Sequence, residues 1–131
     1  MAPPNFKLNP DRPIGEQLVA ECERLIAVGE WKPGERVPSV RALAVQFGVN
    51  PNTVQKALAL LDERSLLVAR STSGRFVTED EALIARTGDR IARSHAAQYA
   101  RAMRALKIGR ERAIELFDEQ AKAIRGTRER A

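Results

Sequence analysis

Pro38-Ser39-Val40-Arg41-Ala42-Leu43-Ala44-Val45-Gln46-Phe47-Gly48-Val49-Asn50-Pro51-Asn52-Thr53-Val54-Gln55-Lys56-Ala57-Leu58 is the stretch on which the fold turns. Ser39 is a good N-cap, because its hydroxyl can accept from a free backbone N–H of the first helical turn. Val40, Leu43, Ala44 and Phe47 then recur on one helical face. Gly48-Val49 turns the chain. Asn50 supplies a second N-cap, and Pro51 takes the first helical position, where a missing N–H costs nothing. Val54, Ala57, Leu58 and Leu61 form the inward face of this next helix, which leaves Asn52, Thr53, Gln55 and Lys56 outward, mostly on its first turns. Downstream, Leu66 to Arg70 reads as a strand, Ser71-Thr72-Ser73-Gly74-Arg75 as a turn tip, and Phe76-Val77-Thr78 as the returning strand. Two short helices around a Gly-containing turn, with an appended hairpin, suit the DNA major groove. Arg36, Arg41 and Lys56 lie in this region, and no Asp or Glu occurs from Arg36 to Leu61. A face that approaches phosphates should be free of carboxylates in this way.

Working outward toward the N-terminus, Trp31-Lys32-Pro33-Gly34-Glu35-Arg36 is a loop, with Pro33-Gly34 as its turn and Trp31 as a lid packed over the preceding helix. That helix opens at Pro13 and carries Ile14, Leu18, Cys22, Leu25 and Ile26 on one face. It is expected to end near Val28, with Gly29 as its stop. Residues 6–8 alternate apolar and polar, as in a short strand or an extended arm. The expected order to this point is β-α-α-α-β-β.

Working outward toward the C-terminus, Glu79-Asp80-Glu81 opens a long helix, acidic at the positive end of its dipole. Ile84, Ile91, Ala92, Ala96, Tyr99, Met103 and Leu106 form its apolar stripe, with Gly88 as a weak point, and Lys107-Ile108-Gly109 interrupts it. A second helix starts near Arg110, with Ala113, Ile114, Phe117, Ala121 and Ile124 on one side. Gly126 to Ala131 is expected to be a polar, frayed tail. Two helices alone cannot enclose a core. The economical way to cover Ile91, Tyr99, Met103, Leu106, Ile114 and Phe117 is a second copy of the chain around a two-fold axis. His95 falls beside the stripe as a polar residue at the interface edge.

Composition narrows the function classes. The 131 residues carry a net charge of +5, which favours an acidic partner such as nucleic acid. Cys22 is the only cysteine and His95 the only histidine. This leaves neither a disulfide framework nor a zinc site within one protomer. Cys22 lies on an apolar helical face and reads as a buried, inert thiol. There is no Ser-His-Asp set and no phosphate loop, so no enzyme is expected and no cofactor. No apolar run approaches the length of a membrane span, and residues 1–7 lack the apolar core of a signal peptide, so a cytoplasmic protein is expected.

The chain resembles the GntR family of bacterial transcription regulators. The matching stretches are Pro13-Ile14-x-Glu16-Gln17, then Gly29-x-Trp31-Lys32-Pro33-Gly34-x-Arg36-Val37-Pro38-Ser39-Val40-Arg41-x-Leu43-Ala44, then Gly48 through Val54, then Gly74-x-Phe76-Val77. The short helical C-terminus is similar to that of the YtrA-like subgroup. The resemblance implies an α+β fold: a winged helix-turn-helix over residues 1–78, followed by a two-helix hairpin over residues 79–131 that dimerises. It implies a homodimer that binds double-stranded DNA at an inverted-repeat operator, usually as a repressor. By resemblance, Arg41 contacts DNA from the second helix, while Asn50, Asn52, Thr53, Gln55 and Lys56 line the recognition helix. Arg70, Gly74 and Arg75 belong to the wing. Ser39, at a helix N-terminus, suits a phosphate oxygen, and Arg75 is read as a phosphate or minor-groove contact. The chain departs from the family pattern in places. Pro51 and Gln55 stand where some relatives carry arginine, so the base preference tied to those arginines does not transfer. Gly15 replaces a common aromatic, which would leave a gap beside the first helix. Ser65 and Thr72 replace common glycines, and a β-branched residue at Thr72 would resist a positive φ.

Two other classes compete with this one: a winged-helix protein-interaction module, and an architectural DNA binder without sequence preference. The hairpin is too small to enclose a ligand, so a small-molecule effector would have to use a crevice of the dimer.

Overall fold

The computed structural model describes residues 6–130, with side chains described for residues 6–125. The chain runs α1 (Ile14–Ala27), α2 (Val40–Phe47), α3 (Pro51–Glu63), β1 (Leu67–Ala69), a 3-10 turn (Ser71–Ser73), β2 (Arg75–Val77), α4 (Glu81–Ala105) and α5 (Arg110–Arg130). This is an α+β architecture: helices plus a small antiparallel sheet, in which Leu67 faces Val77, Val68 faces Phe76 and Ala69 faces Arg75. It divides into two compact units, residues 1–91 and 92–131, and the division falls inside α4.

Local chemistry sets the ends of the helices. The Ser39 hydroxyl accepts from the Ala42 N–H, and the Asn50 side chain accepts from the Asn52 N–H with Pro51 at the first helical position. Gly48 closes α2 in the left-handed region at φ 68°. Gly29, at φ 81°, follows α1 and lets the Trp31 N–H reach back to the Leu25 carbonyl. Asp80 caps α4 by accepting from the Leu83 N–H.

The core of the first unit is continuous. It contains Leu18, Leu25 and Ile26 of α1, Leu43 of α2, Leu58 and Leu61 of α3, and Leu66 and Val77 of the hairpin region. Burying a side chain of this size contributes roughly 1.5–3 kcal/mol. Trp31 is 1% exposed, so it is a central element of this core and more than a lid over α1. Leu83 and Ile84 of α4 pack against the same core. Gly88, expected as a weak point, lies within a continuous helix. A Cβ there would sit 3.6 Å from the Ala27 Cβ, an ordinary contact distance, so α4 lies against α1 at this point.

Three expectations are corrected. Residues 6–8 form no strand. Phe6 instead packs edge-on against Phe47 at 5.2 Å, and Leu8 lies against the core. A different segment extends the sheet: the Gly34 N–H donates to Val77 O, the Val77 N–H to Glu35 O and the Val37 N–H to Arg75 O. At the wing tip, the positive φ falls on Ser71 (49°) and Gly74 (99°), not on Thr72. Ser65, by contrast, does adopt the left-handed conformation at φ 64°, where glycine would be relaxed. Helix α5 continues to Arg130, and the side chains of the tail expected at residues 126–131 lie outside the described residues.

Cys22 is 2% exposed. Burial foremost, then the nearby Glu21 and Glu23 charges, push its thiol up to about 12. In the unfolded chain the thiol ionises near its ordinary value of 9.0. The folded state therefore holds the proton more tightly, and its contribution is complete below pH 9 and lost as pH rises from about 9 toward about 12. A thiol reagent at pH 8 is expected to leave the native protein unmodified and to label it fully in denaturant. Rapid labelling without denaturant would contradict the burial.

Candidate nucleic-acid interface

Helix α3 divides cleanly by side. Val54, Ala57, Leu58 and Leu61 are buried, while Asn52, Gln55 and Lys56 are exposed. Gln55 and Lys56 lie three and four residues after Asn52, so each is its neighbour on the helix surface. Thr53 is half-buried, and its methyl lies 4.0 Å from where a Cβ on Gly15 would be. Position 15, where a gap is expected beside α1, therefore faces Thr53 of α3. Asn50 is exposed, but its oxygen is committed to the cap, which leaves its amide hydrogens for an outside acceptor. Ser39 likewise accepts within its cap and keeps a hydroxyl hydrogen to donate. Arg41 is exposed on the first turn of α2.

The wing side is more constrained. The Arg70 guanidinium stacks 4.8 Å above the Phe76 ring and lies 3.8 Å from a Glu79 carboxylate oxygen. The Arg75 Nε donates to both carboxylate oxygens of Asp62, at 3.2 and 3.0 Å, and only 19% of its side chain is exposed. Arg75 is thus tied to the C-terminal part of α3. Gly74 holds the tip at φ 99°. Two residues absent from the sequence-derived site enter here. Asp62 anchors the wing to α3, and Arg36 sits directly against Gly74, where a Cβ would come 3.1 Å from the Arg36 Nε. The residue pattern points to Arg36 only as a cation within an acid-free stretch.

The second unit presents a different surface. No residue from 92 to 125 is buried. The Tyr99 hydroxyl donates to the Ala113 carbonyl at 2.6 Å, and its ring meets Phe117 edge-on at 6.4 Å, which joins the two helices. Leu106 (66%), Ile114 (45%), Phe117 (58%) and Ile124 (67%) remain exposed. Apolar grooves run along this hairpin. One is walled by Tyr99, Met103, Leu116 and Phe117, and the other by Ala96, Tyr99, Ile108 and Ile114, with His95 at its edge. Ile91, at the end of the first unit, is half-buried. Among the described residues, no group of three or more His, Cys, Asp or Glu is placed to hold a metal ion, and no helix is long and apolar enough to cross a membrane.

The family model of bacterial regulatory proteins, gntR family, matches residues 14–77. The chain is 37% identical over 68 residues to the HTH-type transcriptional repressor YtrA of Bacillus subtilis (strain 168), a match covering 52% of this chain and 52% of YtrA. It thus spans about half the length of that relative. Among solved structures, a GntR family transcriptional regulator from Listeria monocytogenes superposes with a TM-score of 0.81 at 29% identity, covering 86% of this chain and 98% of that one. The AraR DNA-binding domain in complex with operator ORE1 matches with a TM-score of 0.50 at 29% identity, covering 56% of this chain and 95% of that one.

Proposed function

Because the chain belongs, through residues 14–77, to the gntR family of bacterial regulatory proteins and is YtrA-like, we propose that it is a dimeric, sequence-specific DNA-binding repressor of transcription. The observation that carries this reading is the exposed set Asn52, Gln55 and Lys56 on a helix capped by Asn50, with Arg41 exposed on the neighbouring helix. No carboxylate lies in the stretch that contains them. Helix α3 enters the major groove. Asn52 and Gln55 each offer a donor and an acceptor, the pair that reads both positions of an adenine edge. The Ser39 hydroxyl and the Asn50 amide, both fixed by capping, donate to phosphate oxygens and set the register. Lys56 adds a phosphate contact. Arg41 bridges phosphate or guanine, and Arg70 and Gly74 shape the wing that rests on the backbone. The hairpin of the second unit joins two copies, so that two recognition helices address half-sites about one helical turn apart. A regulator of this kind works in the bacterial cytoplasm, and the chain performs no enzymatic step in it.

Selection of bound sequences from a random duplex library tests this directly. Recovery of an inverted repeat supports the regulator. Binding without enrichment of any sequence points to an architectural DNA binder. Absence of duplex binding points to a protein-interaction module. On the recovered operator, Arg41→Ala is expected to weaken binding by ~1–3 kcal/mol. Unchanged affinity in a titration at fixed salt would remove Arg41 from the interface.

A further inference from the structure

We propose that Arg36, which precedes the helix-turn-helix, supplies the wing's contact to a DNA phosphate in place of the hairpin's own Arg75. This deepens the DNA-binding reading and rests on it. Three arginines surround the wing, and their charges are disposed differently. Arg75 is neutralised by Asp62, with Nε 3.0 Å from the nearer oxygen. Arg70 is stacked on Phe76 and paired at 3.8 Å with Glu79. Arg36 is exposed and has no ion pair or hydrogen bond from its side chain among the described residues.

Its position is nonetheless fixed. The segment around Arg36 pairs with β2 through the Val77 N–H to Glu35 O at 2.8 Å and the Val37 N–H to Arg75 O at 3.0 Å. Arg36 bridges Phe76 across the two strands, so both side chains stand on the same face of the small sheet. Its guanidinium then occupies the space above Gly74, where a Cβ would lie 3.1 Å from Nε and 3.5 Å from a terminal nitrogen. Glycine at the tip thus serves two ends: it permits φ 99°, and it leaves room for the cation. A guanidinium without a partner at the wing tip can take an anion without first giving up an ion pair, as Arg75 and Arg70 would have to. A planar guanidinium at such a place suits a phosphate oxygen pair.

The test uses the full chain with the duplex recovered by selection and with a random-sequence duplex, each titrated at several salt concentrations. Arg36→Gln is expected to reduce the slope of log affinity against log salt by about one. Its deficit against the parent chain then shrinks about fourfold between ~50 and ~200 mM salt. The loss should be the same on both duplexes, Arg36→Lys should restore the slope, and Arg75→Gln should leave the slope unchanged. An unchanged slope with Arg36→Gln, or a reduced slope with Arg75→Gln, overturns the assignment. So does a loss confined to the selected duplex, which would make Arg36 a reader of bases. A parent chain that binds neither duplex overturns the DNA-binding reading, and this proposal with it. Matching thermal midpoints for Arg36→Gln and the parent chain confirm that the comparison is between folded proteins.

Discussion

Phe117→Glu is expected to convert the protein in solution from two copies per particle to one, and to lower its affinity for an operator with two half-sites by ~10²–10⁴-fold. The expectation follows from the second unit, in which no residue between 92 and 125 is buried and Phe117 itself is 58% exposed. A helix pair without a buried residue lacks the packing that holds helices together in water, since isolated helices are marginal. Around a two-fold axis each substitution acts twice. Loss of a buried Phe contributes roughly 1.5–3 kcal/mol per copy before any penalty for placing a carboxylate there. Two copies therefore account for about two to four orders of magnitude in the dimer constant. Affinity for a single half-site should change little, because the residues proposed to face the groove lie in the first unit. Mass measurement by light scattering, combined with titrations on one-site and two-site duplexes, decides the matter. A dimeric Phe117→Glu variant, or a monomeric parent chain, would refute the role assigned to this face.

The second large effect concerns Glu23. Its carboxylate is 4% exposed, yet it receives Arg64 at 2.8 Å and Arg90 at 2.7 Å on one oxygen. Arg64 caps α3 and Arg90 belongs to α4, so one buried charge on α1 ties three helices together. The partners are unequal in exposure, at 43% for Arg64 and 57% for Arg90. This sets the order of the effects. Glu23→Gln leaves two guanidiniums that water can reach, and should cost about 1–2 kcal/mol. Replacing both arginines with alanine strands a buried carboxylate, and should cost about 3–5 kcal/mol. Each single arginine variant keeps one partner, so the double variant should lose more than the sum of the singles. A domain stabilised by only ~5–15 kcal/mol would be brought near its unfolding threshold. Urea midpoints of the four variants provide the comparison. A double variant no less stable than Glu23→Gln would show that the carboxylate is not stranded.

The features legible in the sequence were the local ones. Ser39, Gly48, Asn50 and Pro51 act within a single helical turn of themselves, so their cap and turn chemistry could be read directly and placed α2 and α3 as found. Features formed across the chain were not legible. Alternation at residues 6–8 is the same for a strand and for an arm packed on a helix, and nothing nearby indicates which neighbour is available. The third extended segment depends on pairing with β2, far along the chain. The charge partners lie 13 residues apart for Arg75 with Asp62, 41 for Arg64 with Glu23 and 67 for Arg90 with Glu23. None of these separations has a pattern to betray it. This is why the wing arginine looked free in the sequence and is bound in the fold. Trp31 follows the same logic, since a single aromatic in a loop does not reveal how deep the core will receive it.

The pairing of β2 on both of its edges also bears on where the chain could tolerate a change of length. One residue inserted between Gly34 and Val37 would slip that pairing by one position. In strand geometry a slip turns every side chain to the opposite face, so Val37, 5% exposed, would face water and its charged neighbour would face the core. At the tip, Ser71, Thr72 and Ser73 are all exposed in a single turn between the strands, and added residues there would loop outward without disturbing the ladder. The wing can therefore grow or shrink at its tip while the segment that braces it keeps a fixed number of residues.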